Sequence, residues 1–223
     1  MPRLMITLLA VACSLLAGCE SEENPTKALL EACAGRLTTP TQVEGLIKAG
    51  ADVNAEDEAG YSPLMHAALF NQNAEVTSML IKAGAEVNAR YEPVGSPLIF
   101  AASFNPNPEV TATLIKAGAE VNLKLEDGRT PLMIAALNSW NPEVITTLIK
   151  AGAEVDAKDE NGKTPLMHAA DKNRNPEIFV ALLNAGADAK AKDKDGKTAL
   201  DYVKENERFK GTEALKKLND ASL

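Results

Sequence analysis

Three short motifs recur along this chain at one fixed spacing, and that spacing limits what it can fold into. Ala49-Gly50, Ala83-Gly84, Ala117-Gly118, Ala151-Gly152 and Ala185-Gly186 are each 34 residues from the last. Ser62-Pro63-Leu64, Ser96-Pro97-Leu98, Thr130-Pro131-Leu132, Thr164-Pro165-Leu166 and Thr198-Ala199-Leu200 keep the same step. So do the stretches opening at Asn73, Asn107, Asn141 and Asn175, each followed two residues later by Glu. A repeat of this length implies small units that each bury a face against the next, not one central nucleus. Only 4% of the residues are aromatic, which suits slim cores of Ala, Leu, Ile and Val.

Each motif has a physical task. In Thr130-Pro131 the hydroxyl caps an orphan N–H at a helix start, and Pro is tolerated at the first helical position. Asn141-Pro142-Glu143 opens a second helix, with Glu against its positive end. Lys150-Ala151-Gly152 closes it, Lys favouring the negative end and Gly supplying a left-handed turn. The spacing predicts two antiparallel helices at about 130–139 and 142–151. A brief extended piece, Ala153 to Ala157, and a turn at Glu160-Asn161-Gly162 follow, a hairpin signal. The unit reads as helix, helix, hairpin.

This pattern resembles the ankyrin repeat, in Thr164-Pro165-Leu166-Met167-His168-Ala169-Ala170 and the later Gly186-Ala187-Asp188. The resemblance implies an all-α solenoid with β-hairpin loops. Two departures stand out. Met65, Ile99, Met133 and Met167 hold the usual His slot, so the hydrogen bonds made from it are expected to be absent. One extra residue lies between the helices, at Gln72, Pro106, Trp140 and Arg174. Tetratricopeptide repeats share the period but lack the hairpin and the Thr-Pro-Leu opening, and they carry large aromatics missing here.

Six units are expected, at about 26–57, 58–91, 92–125, 126–159, 160–193 and 194–223, the first and last being polar caps. Leu30, Leu64, Leu98, Leu132, Leu166 and Leu200 form one ladder. Leu46, Leu80, Leu114, Leu148 and Leu182 form another, with Ile47, Ile81, Ile115, Ile149 and Leu183 beside it. Each buried side chain contributes about 1.5–3 kcal/mol before entropy. The Ala pairs 67–68, 101–102, 135–136 and 169–170 let helices approach closely.

The N-terminus carries an address. Arg3 precedes a mostly apolar run from Leu4 to Leu16, too short to span a bilayer of ~30 Å comfortably and proportioned like a secretory signal. Leu16-Ala17-Gly18-Cys19 resembles the bacterial lipobox. That implies a signal peptide at 1–18, lipidation of Cys19 and a polar linker reaching residue 25. Lipoproteins of this kind carry several acyl chains, enough for firm anchoring. Glu20, in place of Asp, favours the outer membrane facing the periplasm over the inner membrane.

The net charge of −8 weakens any case for nucleic acid, whose binding needs phosphate neutralisation. Cys33, alone in the body of the chain, cannot build a disulfide framework. It sits in a slot otherwise held by Ala67, Ala101, Ala135 and Ala169, which reads as a core thiol. His66 and His168 occupy one slot three units apart, roughly 25–30 Å at the usual helix spacing, so they cannot share a metal. Phe100 and Ile134 fill that slot between them, which reads as semi-buried packing. No phosphate loop, metal-ligand spacing or nucleophile motif appears. No enzyme activity, cofactor or metal is expected, and the chain reads as a monomer.

The resemblance implies partner binding on the concave face, built from hairpin tips and the exposed side of each first helix. By register this selects Tyr61, Arg90, Arg129 and Lys163 at the tips, and Leu69, Phe70, Phe104 and Leu137 on the helices. Ser103, Asn138, Asp171 and Lys172 share those helix positions. Exposed aromatics mark interfaces, but Phe70 and Phe104 could equally tuck against the next unit. Trp140 could be exposed or packed locally. The third hairpin, Tyr91 to Gly95, holds Val94 where Gly is usual. The expected function is a membrane-anchored scaffold for an unidentified protein partner in the bacterial envelope. An immunity-type protein that occludes a toxin or secreted enzyme is the alternative.

Overall fold

The computed structural model describes residues 24–36, 38–91 and 95–222. The expected signal peptide and Cys19 lie outside the described residues, as does most of the linker. Twelve α-helices follow in pairs: α1 Pro25–Cys33 and α2 Pro40–Lys48, α3 Pro63–Phe70 and α4 Ala74–Lys82, α5 Pro97–Phe104 and α6 Pro108–Lys116, α7 Pro131–Asn138 and α8 Pro142–Lys150, α9 Pro165–Lys172 and α10 Pro176–Asn184, then α11 Ala199–Glu205 and α12 Glu213–Ser222. The odd-numbered helices pack in one row and the even-numbered in a second. This is the all-α repeat solenoid.

The boundaries follow from capping chemistry. Ser62, Thr130 and Thr164 accept N–H bonds from Met65, Met133 and Met167 at 3.3–3.4 Å. The Asn73, Asn107, Asn141 and Asn175 side chains accept from the Glu two residues on at 2.9–3.0 Å. At the end of α8, Gly152 at φ +91° sends its N–H to Ile149, and Ala153 sends its N–H to Leu148, both at 3.0 Å. That pair of bonds satisfies carbonyls the helix would otherwise orphan.

The leucine ladder is fully buried at Leu64, Leu98, Leu132 and Leu166, but half-buried at Leu30 and Leu200. A slot closes only where helices pack on both sides, and the terminal units lack one neighbour. In α1 the sealed residues are Leu29 and Cys33, and in α2 Val43.

Three asparagine seams, unread in the sequence, tie unit to unit. Asn105 donates to the carbonyls of Ala68 and Asn71 at 3.0 and 2.8 Å while accepting from Asn107 N–H. Asn71 and Asn173 do likewise one unit before and two units after. Asn54, Asn88 and Asn122 donate to Gly84, Gly118 and Gly152 at 2.9–3.0 Å. Asn107, Asn141 and Asn175 donate to the carbonyls of Gln72, Pro106 and Trp140 at 2.7–3.0 Å.

The expected β-hairpins are instead turns. Among the described residues no strand forms, and only Tyr91 and Gly95 make a bridge. The reason is local: Asp159 Oδ1 accepts the N–H groups of Asn161 and Lys163 at 2.8 and 2.9 Å. A carboxylate thus takes donors that a strand ladder would have used.

Candidate functional site

Each of these turns is fastened to the helix that follows it by a pair of residues nine apart. Asp57 Oδ2 meets His66 Nε2 at 2.7 Å, and Asp159 Oδ2 meets His168 Nε2 at 2.9 Å. In the last unit Tyr202 replaces the imidazole and donates its hydroxyl to Asp193 at 2.5 Å. In the third unit the same two slots hold Tyr91 and Phe100, ring centroids 6.3 Å apart. In the fourth they hold Leu125 and Ile134, which pack together. Met65, Ile99, Met133 and Met167 carry no imidazole in the usual slot; the bonds of His66 and His168, one position later, are separate ones that reach across the turn. The reading of His66 and His168 as indifferent packing residues is corrected accordingly, because the slot tracks its partner across the turn.

With the turns fixed against the helices, three adjoining hollows line the face between them. One, of about 370 Å³, lies among Ile99, Phe100, Phe104, Glu126, Asp127, Arg129, Ile134 and Asn138. A second, also about 370 Å³, shares Phe104 and Asn138 and adds Leu137, Trp140, Lys172 and Arg174. A third, of about 230 Å³, shares Leu137, Lys172, Asp127 and Arg129 and adds Asp159, Lys163, His168 and Asp171.

Of the residues selected from the sequence, Phe104, Arg129, Leu137 and Lys163 come together on this face. Phe104 is 53% exposed and Phe70 37%, which decides the question left open for both. Tyr61 and Phe70 belong to an aromatic group beside it: Tyr61 lies 4.5 Å from Tyr91, 5.5 Å from Phe100 and 5.4 Å from His66, and Phe70 stacks on His66 at 6.2 Å. Leu69 is half-buried against the core. Arg90 lines none of these hollows and reaches Glu120 of the next unit at 3.4 Å. Ser103, expected on the face, is buried, because α5 packs that position inward.

Trp140 and Arg174 join the face although neither was selected for it. Trp140 is 63% exposed. The signal was present in the extra residue of each unit, since Gln72, Pro106, Trp140 and Arg174 are all exposed. Three of their carbonyls accept the asparagine bonds described above. The backbone is fixed and the side chain is free.

Most charge on this face is internally matched. Arg129 pairs with Asp127 at 2.6 Å and Lys163 with Asp171 at 3.0 Å. Burial alone would lower the Lys163 ammonium, but Asp171 outweighs it and raises it. The Lys163 ammonium also lies 4.4 Å over the Tyr202 ring. Off the face, burial pushes the Cys33 thiol up to about 12, as a core thiol requires. Among the described residues no cluster of His, Cys, Asp and Glu could hold a metal ion.

The sequence matches the family model for ankyrin repeats in three copies, over residues 5–91, 98–193 and 141–221. No curated protein matches it. Together with paired helices, glycine-closed second helices and turns fastened at one register, that match covers almost the whole chain, and the chain belongs to the ankyrin-repeat family, whose repeats serve as protein–protein interaction scaffolds.

Proposed function

We propose that this protein is a lipid-anchored scaffold that grips another protein of the bacterial envelope along the three adjoining hollows. The observation that carries the binding reading is the exposure of Phe104 and Trp140 on one continuous face of a chain with few aromatics. Large exposed aromatics are costly to solvate and are the residue types that anchor interfaces. The anchoring reading rests on Leu16-Ala17-Gly18-Cys19. Only five residues separate Cys19 from the start of α1 at Pro25, a span of at most ~22 Å, which keeps the bound partner near the bilayer.

Two measurements test the halves separately. Metabolic labelling with an alkyne fatty acid should mark the full chain, and Cys19→Ser should abolish the label; a label that persists removes the anchor. Crosslinking in native envelopes should capture one dominant protein, lost in the Phe70→Ala, Phe104→Ala double variant. Capture that survives both substitutions moves the binding face elsewhere.

A further inference from the structure

We propose that the hollow bounded by Phe104, Leu137, Trp140, Lys172 and Arg174 takes an acidic peptide segment carrying one bulky apolar side chain. This rests on the scaffold reading and names the partner's chemistry.

The argument begins with charge. On the adjoining hollows Arg129 is matched by Asp127 and Lys163 by Asp171. Lys172 and Arg174 have no ion-pair partner among the described residues, and both are exposed. No carboxylate lines the hollow they border. A chain of net charge −8 thus presents two unmatched cations at one spot, which favours a partner with carboxylates there.

The apolar part is built and held. The Ser139 carbonyl accepts from Asn173 at 3.1 Å and the Trp140 carbonyl from Asn175 at 2.8 Å. The indole therefore projects from a pinned backbone and lines the same hollow as Phe104. At about 370 Å³ the space accommodates one aromatic or large aliphatic side chain, with carboxylates beside it reaching Lys172 and Arg174. Pinning of the loop lowers the ordering cost of binding.

Trp140 is the only tryptophan in the chain, so its emission reports directly on this hollow. The probe is a displayed library of random twelve-residue peptides, followed by Trp-free synthetic versions of the selected sequences. The expected result is enrichment of peptides with an aromatic or large aliphatic residue beside Asp or Glu, and a blue shift of Trp140 emission on titration. Phe104→Ala should weaken binding about tenfold or more. Lys172→Glu with Arg174→Glu should weaken it at least as much and reverse its salt dependence, since added salt then relieves repulsion. Far-UV dichroism checks that each variant stays folded. Selected peptides without acidic bias, peptides that leave Trp140 emission unchanged, or no enrichment would each overturn the proposal. The scaffold reading falls separately, if envelope crosslinking with the full wild-type chain captures no partner. A captured partner indifferent to the charge reversal leaves the scaffold standing and sinks the acidic ligand.

Discussion

The Asp159 carboxylate holds its own turn with one oxygen and, with the other, the imidazole of His168 at 2.9 Å on the following helix. Both residues are buried, at 8% exposure each. Removing either partner leaves a buried polar group unmet, whereas replacing both with apolar groups need not. His168→Ile should destabilise by about 1–3 kcal/mol. Adding Asp159→Leu recreates the Leu125 and Ile134 pair of the fourth unit but also takes the acceptor from the N–H groups of Asn161 and Lys163, so the double variant should lose more than His168→Ile alone yet less than the sum of the single losses. Urea denaturation of the full double-mutant cycle measures the coupling; strict additivity would show that the pair is not a unit.

The same pair sets an acid limb. Burial pushes His168 below its ordinary value of 6.5, with Asp159 opposing and Lys163 and Arg129 adding to the fall. A base harder to protonate when folded costs nothing above that value, and it lowers stability as pH falls through 6.5 toward the folded value. Lower still, the hydrogen bonds of Thr198 hold Asp201 below 3.8. At Asp57 burial works the other way, but the N–H of Tyr61 and His66 outweigh it. Those carboxylates contribute above their unfolded values and are lost as pH falls through the folded ones. Urea midpoints should be flat between about pH 7 and 8, decline below 6.5, and drop again below about 4. His168→Ile should remove only the upper decline.

Asn105 sits between units with three hydrogen bonds and 2% exposure. Asn105→Ala strands two carbonyls and one N–H, and should cost about 1–3 kcal/mol. Thermal denaturation reads the loss directly, and an unchanged midpoint would mean that water replaces the amide fully.

The hydroxyls of Thr77 and Thr111 are buried without a hydrogen-bond partner, in one slot of neighbouring second helices. Val43 and Ile145 fill the same slot elsewhere. Thr111→Val keeps the shape and removes an unmet polar group, so stability should rise by about 1 kcal/mol. A fall in the denaturation midpoint would reveal a partner for the hydroxyl.

Cys33 should be inert in the folded chain, since burial holds its thiol up near 12 and the thiolate is the reactive form. Alkylation at pH 8 followed by peptide mass spectrometry should find Cys33 unmodified until denaturant is added. Cys33→Ala, the residue of every central unit, should cost less than about 1.5 kcal/mol. Rapid labelling of the native protein would place the thiol at the surface.

Helix starts and stops were legible because the chemistry that makes them is local. Asn141 caps a helix two residues away, and Gly152 closes one with its own φ of +91°. Slots such as Leu132 were legible because a fixed period carries each contact to the next unit. The turns were misread as hairpins because Asn161-Gly162 signals a reversal without saying what satisfies its N–H groups, and Asp159 does so. Phe104 and Leu137 were readable by register, whereas Arg90 reaches Glu120 of the next unit, a pairing no single repeat encodes.

By itself, then, the amino-acid sequence determined the repeat period and the residues that cap and close the regular helices, since those depend on interactions spanning a few residues or one period. Tertiary structure alone decided which pairs meet across a turn, that Ser103 faces inward, and that Trp140 and Arg174 flank Phe104. Those outcomes depend on packing angles between units and on which carbonyls the neighbouring asparagines claim, and no single repeat contains that information.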